Sequence, residues 1–249
     1  MMYNPYSLEN KTILVTGASS GIGRATAIEC SKLGANTIIT ARNEEKLKET
    51  LSMMGGRLGS IVVCDLSDSD NLDKLVAQLP ELDGFVSNAG FIKIAPLRFV
   101  KEKDFLSIMQ VNVISPIILL QKLLSKKKIK NKASIVFTSA LDAIGATTPA
   151  NSMYVASKGA ISAFVRNSAL ELAPKGIRVN AVCPGMVNTN ILGGSPIDEE
   201  NIKEDIKNYP LGRYGEPTDI AYAIIYLLSE GSSWVTGTNM IIDGGLSIK

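Results

Sequence analysis

The chain of 249 residues contains no histidine. This absence excludes Ser-His-Asp hydrolysis, a histidine-ligated zinc ion and an imidazole general base. Proton transfer must therefore use tyrosine, lysine, a carboxylate or cysteine, and we expect no metal cofactor. The net charge is only +2, so neither nucleic acid nor an anionic membrane is expected as a main partner.

Cysteines and long apolar runs are also scarce. Cys30, Cys64 and Cys183 stand far apart in apolar or helical patterns, so we expect buried, reduced thiols and a cytoplasmic protein. No uninterrupted apolar run approaches the ~18 residues of a membrane span. The first residues, MMYNPYSLENK, lack the apolar region of a secretory signal, so none is expected.

The chain does contain a regular alternation of strand-like and helical segments. Seven short apolar runs are typical of strands buried on both faces of a parallel sheet: KTILVTG, ANTIITA, SIVVCDL, DGFVSNAG, ASIVFTS, IRVNAVCPG and NMIIDGG. We predict a single α/β domain of the Rossmann type over residues 1–249, with a doubly wound, seven-stranded parallel sheet. The stretch 189–213 interrupts the alternation. It is predicted to be a substrate lid, with a disordered segment as the alternative.

A glycine-rich turn follows the first strand, in TILVTGASSGIGRATA. Gly17, Gly21 and Gly23 allow a tight turn and a close approach of a pyrophosphate to the start of the next helix. The spacing GxxxGxG differs from the commoner GxGxxG, and a simple tight turn is the alternative. Its place after the first strand of an alternating chain favours a dinucleotide site.

The end of the second strand, ITARNEE, bears on which dinucleotide binds. Folds that bind NAD usually carry an acidic residue here for the ribose 2′-hydroxyl. Ala41 holds that place and Arg42 follows, and a guanidinium favours a 2′-phosphate. We therefore predict NADP(H) over NAD(H); the alternative is that Arg42 only solvates a helix start.

Tyr154 and Lys158 stand four residues apart on a helical pattern and so share a face. An ammonium near a phenol stabilises the phenolate and lowers its pKa toward the working pH. Tyr154 is thus the best general acid or base in a chain without histidine; a chance pair in a structural helix is the alternative. Asn112 interrupts an apolar helix and either holds a water or is a satisfied core amide.

Five motifs, in this order, resemble the short-chain dehydrogenase/reductase family: TGASSGIG, SNAG (87–90), VN (111–112), YVASK (154–158) and NAVCPG (180–185). The stretches PLGRYGEPTDIA and WVTGTNMIIDGG are similar to those of bacterial 3-oxoacyl-acyl-carrier-protein reductases. The resemblance implies an NADP(H)-dependent oxidoreductase that transfers hydride between nicotinamide and a carbonyl or secondary alcohol, assembled as a homodimer or homotetramer. A catalytically weak member that binds NADP(H) as a sensor or structural partner is the alternative.

The resemblance also implies residue roles. Tyr154 would exchange the proton, Lys158 would bind the nicotinamide ribose, and Asn112 would hold a water that feeds the proton relay. Asp65 would touch the adenine. The cofactor-binding residues implied in full are Gly17, Ser19, Ser20, Gly21, Ile22, Gly23, Arg42, Asp65, Leu66, Asn88, Ala89, Gly90, Tyr154, Lys158, Pro184, Gly185, Val187 and Thr189.

A serine that polarises the carbonyl commonly ends the fifth strand in the family. Here Ala140 occupies that position, and Ser139 stands one place early, on the opposite face of a regular strand. The stretch to Tyr154 is a residue or two longer than usual, and we predict that this brings Ser139 into the catalytic position. The alternatives are a missing serine or its replacement by Asp142, Thr147 or Thr148.

The substrate and partners are less defined. The mouth of the site is predicted from residues 91–97, 141–149, Met186 and the lid, which are mostly apolar. The basic run KKKIKNK (126–132) and Lys175 lie where acyl-carrier-protein reductases carry arginines that dock an acidic carrier. A solvated loop is the alternative.

Overall fold

The computed structural model describes residues 3–55, 59–145, 147–189 and 199–249, with side chains in the last range from 202 onward. Its strands are β1 (Thr12–Thr16), β2 (Asn36–Ala41), β3 (Gly59–Val63), β4 (Leu82–Ser87), β5 (Ile129–Thr138), β6 (Arg178–Pro184) and β7 (Asn239–Ile242). Its helices are α1 (Gly21–Lys32), α2 (Glu44–Met53), α3 (Ser69–Gln78), α4 (Glu102–Met109), α5 (Ser115–Ser125), α6 (Ser152–Leu172), α7 (Glu199–Ile206) and α8 (Pro217–Leu228).

The seven strands form one sheet in the order β3-β2-β1-β4-β5-β6-β7, and every pairing is parallel. This arrangement confirms the predicted fold class. Alternate strand residues face two separate cores; on β1, Leu14 faces one, and Ile13 and Val15 face the other. Helices α3, α5 and α6 cover the first core, and α1, α2 and α8 cover the second. Helices thus cover both faces of the sheet, which explains the near-continuous apolar strands at its centre.

A π-helical turn, Gln110–Ile114, joins α4 and α5 into one helix, Glu102–Ser125. By length and composition alone, this 24-residue helix could cross a membrane. The sequence contains no uninterrupted apolar run of that length, because polar residues divide the apolar runs of this helix. Leu119, Leu120 and Leu123 of this helix are buried against the sheet, so the core of the domain accounts for much of its apolar surface.

Parallel strands bring all their carboxyl ends to one edge of the sheet. The strand order reverses between β1 and β4, and ligands of doubly wound sheets bind at such a switch point. The residues predicted to bind the cofactor follow β1, β2, β3, β4 and β6, so they collect along this edge. Residues 190–198 of the predicted lid lie outside the described residues.

Candidate active site

The turn between β1 and α1 accepts only glycine at its closest points. Gly17 and Gly21 have φ of +66° and +54°, a conformation that residues with a side chain rarely adopt. A Cβ on Gly23 would lie 2.3 Å from the Gly17 carbonyl oxygen, and one on Gly17 would lie 2.8 Å from the Ala89 Cα. Exposed Ser20 caps α1 without a side-chain capping bond. The helix start therefore offers backbone N–H groups and a hydroxyl, donors that fit a pyrophosphate.

The adenosine side of the predicted site is formed by the ends of β2 and β3. Arg42 is exposed. Asp65 accepts hydrogen bonds from the Ser67 N–H (3.0 Å) and hydroxyl (2.7 Å). These bonds lower the pKa of Asp65, and the charge of Arg42 adds to the effect. Leu66 is buried in the first core, so its side chain packs there.

Asn88 ties the glycine turn to the end of β5. Its Nδ2 donates to the carbonyl oxygens of Thr16 (3.4 Å) and Gly17 (3.5 Å), and its Oδ1 accepts from the Thr138 hydroxyl (3.2 Å). The Ala89 N–H donates to the Thr16 hydroxyl at 3.2 Å. These bonds fix the loop after β4 against the first strand.

The loop after β6 passes over the start of α1. Pro184 ends the strand, and the Gly185 N–H donates to the Ile242 carbonyl at 3.0 Å. Val187 forms an isolated parallel bridge with Gly215. The Cγ2 of Thr189 lies 3.2 Å from the place where a Cβ on Gly21 would stand. The loop therefore approaches the glycine turn closely, at the edge where the cofactor is predicted to bind.

Lys158 is a buried ammonium, 5% exposed, at the centre of the site. Its Nζ donates to the Thr138 carbonyl at 2.7 Å and lies 5.6 Å from the centre of the Tyr154 ring. Burial lowers the pKa of Lys158 to about 8. A Cβ on Gly90 would stand 3.5 Å from Nζ and 3.1 Å from the Asn112 Oδ1. An ammonium has three donors, so Lys158 has donors left for ribose hydroxyls.

The pKa of Tyr154 is raised, mainly by burial and further by the charges of Asp142 and Cys183. This is the opposite of the expected lowering. The Lys158 Nζ lies over the ring and donates to a carbonyl, so desolvation of the phenolate dominates. Tyr154 is therefore a neutral phenol at pH 7, the form that donates a proton to a carbonyl oxygen.

Ser139 does not reach the catalytic position that the sequence predicted for it. Its hydroxyl is buried and donates to the Lys158 carbonyl at 2.9 Å, and it shares a 2.7 Å hydrogen bond with the Ser162 hydroxyl. A serine has one proton to donate, and here it is used inside the fold. Ala140 remains extended, with φ −156° and ψ 152°, so strand alternation keeps the two side chains on opposite faces.

The Asn112 side chain is a satisfied core amide. Its Oδ1 accepts from the Phe91 N–H (3.0 Å), and its Nδ2 donates to the Phe91 carbonyl (2.9 Å) and the Ser157 hydroxyl (3.1 Å). Both N–H groups of the Asn112 amide are therefore used, and neither is left to donate to the expected water. Asn112 lies within the π-helical turn, a feature that frequently marks functional sites.

Two polar residues of the site were not singled out from the sequence. The Nδ2 of Asn151 donates to Asp142 Oδ2 at 2.6 Å. Tyr209 is 6% exposed, and burial, followed by the charges of Asp205 and Asp142, raises its pKa. Asn151 lies in the polar stretch TTPANS, which is typical of a loop, and Tyr209 lies in the predicted lid. No sequence pattern at either position indicates a role in the site.

The whole arrangement matches known proteins. The family model described as "Enoyl-(Acyl carrier protein) reductase" matches residues 17–247. The chain belongs to the short-chain dehydrogenase/reductase family. It is thus an oxidoreductase that acts on an alcohol or carbonyl with a nicotinamide dinucleotide.

Individual relatives cover nearly the full chain. The 3-oxoacyl-[acyl-carrier-protein] reductase FabG of Rickettsia prowazekii is 34% identical over 96% of this chain and 98% of its own. The glucose 1-dehydrogenase of Gluconobacter oxydans is 37% identical over 96% of this chain and 92% of its own. A Beutenbergia cavernae structure with bound NADP at low occupancy, assigned as an NAD(P)-dependent gluconate 5-dehydrogenase, matches with TM-score 0.90 and 30% identity over 99% and 100% of the two chains. The comparisons give no support to a non-catalytic sensor.

Proposed function

We propose that the chain is an NADP(H)-dependent carbonyl reductase in which Tyr154 donates the proton and Lys158 holds the nicotinamide ribose. The observation that carries this proposal is the pair itself. A neutral, partly buried phenol and a buried ammonium lie side by side on α6, with Lys158 next to Gly90 at the switch point of the sheet. A reductive reaction needs both a proton donor and a bound hydride donor there.

The cofactor fits the residues that are present. The glycine turn at Gly17, Gly21 and Gly23 would hold the pyrophosphate, and Asp65 would lie at the adenine. The Lys158 ammonium would donate to the ribose hydroxyls. When bound, the nicotinamide supplies a hydride to the carbonyl carbon or accepts one from an alcohol. Tyr154 gives its proton to the carbonyl oxygen in the first case and takes a proton from the alcohol in the second.

The preference for NADP(H) follows from the residues after β2. Ala41, the last residue of β2, carries no carboxylate to repel a 2′-phosphate, and the exposed Arg42 follows it directly. The NADP-bound Beutenbergia structure supports the same choice. Arg42→Ala should weaken NADPH at least tenfold while leaving NADH nearly unchanged, because a charge-assisted hydrogen bond is worth about 1.5–3 kcal/mol. Exposed Arg166→Ala on α6 is the control. Equal affinity of the wild type for both cofactors would contradict the preference.

Two substrate classes merit testing. The FabG relatives favour a 3-oxoacyl thioester. The glucose 1-dehydrogenase relative and the polar Asp142 at the mouth favour a polyhydroxylated alcohol. Initial rates with NADPH and a 3-oxoacyl thioester of N-acetylcysteamine, and with NADP⁺ and glucose or gluconate, compare the two. Tyr154→Phe should abolish both reactions. No turnover with any carbonyl or alcohol would refute the proposed function.

Two further predictions concern partners of the chain: docking of an acyl-carrier protein, and assembly with further copies of the chain itself. Part of the basic run is engaged within the fold, since Lys130 pairs with Asp83 at 2.9 Å and Lys128 donates to the Leu79 carbonyl. The exposed Leu106 and Leu170 on the two long helices are compatible with a homodimer or homotetramer. The three cysteines are free thiols, which is compatible with the predicted cytoplasmic location.

A further inference from the structure

Arg24 is a largely buried cation that none of the roles described above involves. It lies in the first turn of α1, directly after the glycine-rich turn, and its side chain is 23% exposed. A guanidinium keeps its charge at every pH at which a protein is folded. Removing most of it from water is favourable only where several acceptors meet it. The acceptors that Arg24 contacts therefore indicate what it does.

The Arg24 guanidinium joins the glycine turn to α2. Its Nη2 donates to the Ser19 carbonyl of the turn at 2.7 Å and to the Glu49 carboxylate of α2 at 2.9 Å. Its Nε donates to the Thr50 hydroxyl of α2 at 3.0 Å. A guanidinium presents its donors in a rigid planar fork. Bonds from one such group to two segments therefore fix the separation of those segments.

Thr50 connects the same two segments a second time. Its side chain is fully buried, and its hydroxyl lies 2.9 Å from the Ala18 carbonyl of the turn. The Lys46 carbonyl of its own helix is a second acceptor within reach, at 3.0 Å. The same hydroxyl oxygen accepts the bond from Arg24. We call these contacts between the turn and α2 the Arg24–Thr50 bridge.

Arg42 lies between two points at which its segment is fixed to the glycine turn. On the β2 side, the Ala18 N–H donates to the Thr40 carbonyl at 3.3 Å. On the other side, the Arg24–Thr50 bridge holds α2, which begins two residues after Arg42. The Arg42 side chain is exposed. The bonds on either side of Arg42 therefore fix where its backbone stands relative to the turn.

We propose that the Arg24–Thr50 bridge positions Arg42 for the 2′-phosphate of NADP(H) and thereby sets the discrimination between NADP(H) and NAD(H). This inference rests on the proposed function, in which the turn holds the pyrophosphate and Arg42 the 2′-phosphate. The covalent structure of the cofactor limits the separation of these phosphate groups. A guanidinium that is already held at a matching separation loses less freedom when it forms its charge-assisted bonds. Arg24 is thus a positioning residue that acts through Arg42.

Two substitutions remove the bonds of the bridge without removing a charge. Arg24→Lys keeps the cation but lacks the planar fork that reaches Ser19 and Thr50 together. Thr50→Val keeps the shape of the side chain and removes its hydroxyl. Fluorescence titration of the cofactor-free protein gives the dissociation constants of NADPH and NADH. Arg24→Lys should weaken NADPH about fivefold, Thr50→Val should weaken it about threefold, and both should change NADH by less than about twofold. NADH has no 2′-phosphate for Arg42 to bind.

A double-mutant cycle separates positioning from a direct effect of the Arg24 charge. In an Arg42→Ala background, Arg24→Lys should change the NADPH affinity by less than about twofold, because the guanidinium that the bridge positions is absent. Thr50→Ser keeps a hydroxyl and should retain the wild-type affinity for NADPH. Lys48→Met is the control, at an exposed position of α2 that pairs with Glu44 at 2.7 Å, and should change neither cofactor. Urea unfolding of each variant verifies that the titrated protein is folded.

The proposal is overturned if Arg24→Lys and Thr50→Val leave the ratio of the two dissociation constants within about twofold of the wild-type ratio. That outcome includes equal weakening of both cofactors, which a purely structural role would produce. Equal losses of NADPH affinity with and without Arg42 would also overturn it. If Arg24→Lys does not fold, the comparison of Thr50→Val with Thr50→Ser decides. Failure of the proposed NADP(H) preference looks different, since the wild type would then bind both cofactors equally and Arg42→Ala would change neither.

Discussion

Replacing Lys158 with methionine should stabilise the protein in the absence of cofactor. Burial lowers the pKa of this ammonium from 10.5 to about 8, and a shift of this size corresponds to on the order of 3 kcal/mol of unfavourable free energy for the charged form. Methionine removes the charge and fills a similar volume. It leaves the Thr138 carbonyl without its partner, at a cost of about 1–2 kcal/mol. The net gain at pH 7 should be about 1–2 kcal/mol.

The pH dependence identifies the cause of this gain. Below pH 8 the ammonium is charged in both the folded and unfolded states, so the full destabilisation by burial is present. Between about 8 and 10.5 the folded protein has lost the proton and the unfolded chain retains it, so wild-type stability rises with pH. The free energy of unfolding of Lys158→Met, relative to that of the wild type, should therefore fall by roughly 2–3 kcal/mol between pH 7 and pH 10.

Urea unfolding of both proteins at pH 7 and pH 10, at one protein concentration, measures this difference. Lys103→Met, at an exposed position, is the control and should show no such change. NADPH should raise the midpoint of the wild type more than that of Lys158→Met, because only the wild type offers an ammonium to the ribose. A stability difference that stays constant from pH 7 to pH 10 would refute the conclusion that burial destabilises the charged form of Lys158.

Three further substitutions have distinct expected outcomes. Tyr154→Phe should lower kcat by ~10²–10⁴-fold, the usual value of a positioned acid, with NADPH affinity unchanged by fluorescence titration; near-normal turnover would remove Tyr154 from the reaction. Ser139→Ala should reduce the free energy of unfolding by about 1–2 kcal/mol and leave kcat within threefold, whereas a hundredfold loss of rate would give Ser139 a catalytic role. Gly23→Ala should abolish cofactor binding, since its Cβ would stand 2.3 Å from the Gly17 oxygen; unchanged affinity would contradict a close turn.

The fold was predictable because its signals are local and repeated. Each strand is an apolar run between helical patterns, and the glycine turn falls after the first strand. Tyr154 and Lys158 were predictable because helical spacing puts them on one face. The pKa of Tyr154 was not predictable, because it depends on whether the Lys158 Nζ donates to the phenol oxygen or to the Thr138 carbonyl, which lies twenty residues from Lys158 in sequence.

Ser139 shows most clearly why the rest of the site could not be predicted from the sequence alone. Its position next to Ala140 suggested that a longer loop could turn its hydroxyl toward the substrate. The backbone instead stays extended at Ala140 after β5 ends at Thr138, and two hydrogen-bonding groups on α6, the Lys158 carbonyl and the Ser162 hydroxyl, hold the Ser139 side chain. That contact also anchors the backbone of Lys158, so Ser139 supports the site from behind. A hydroxyl with this structural role has no proton left to donate to a substrate.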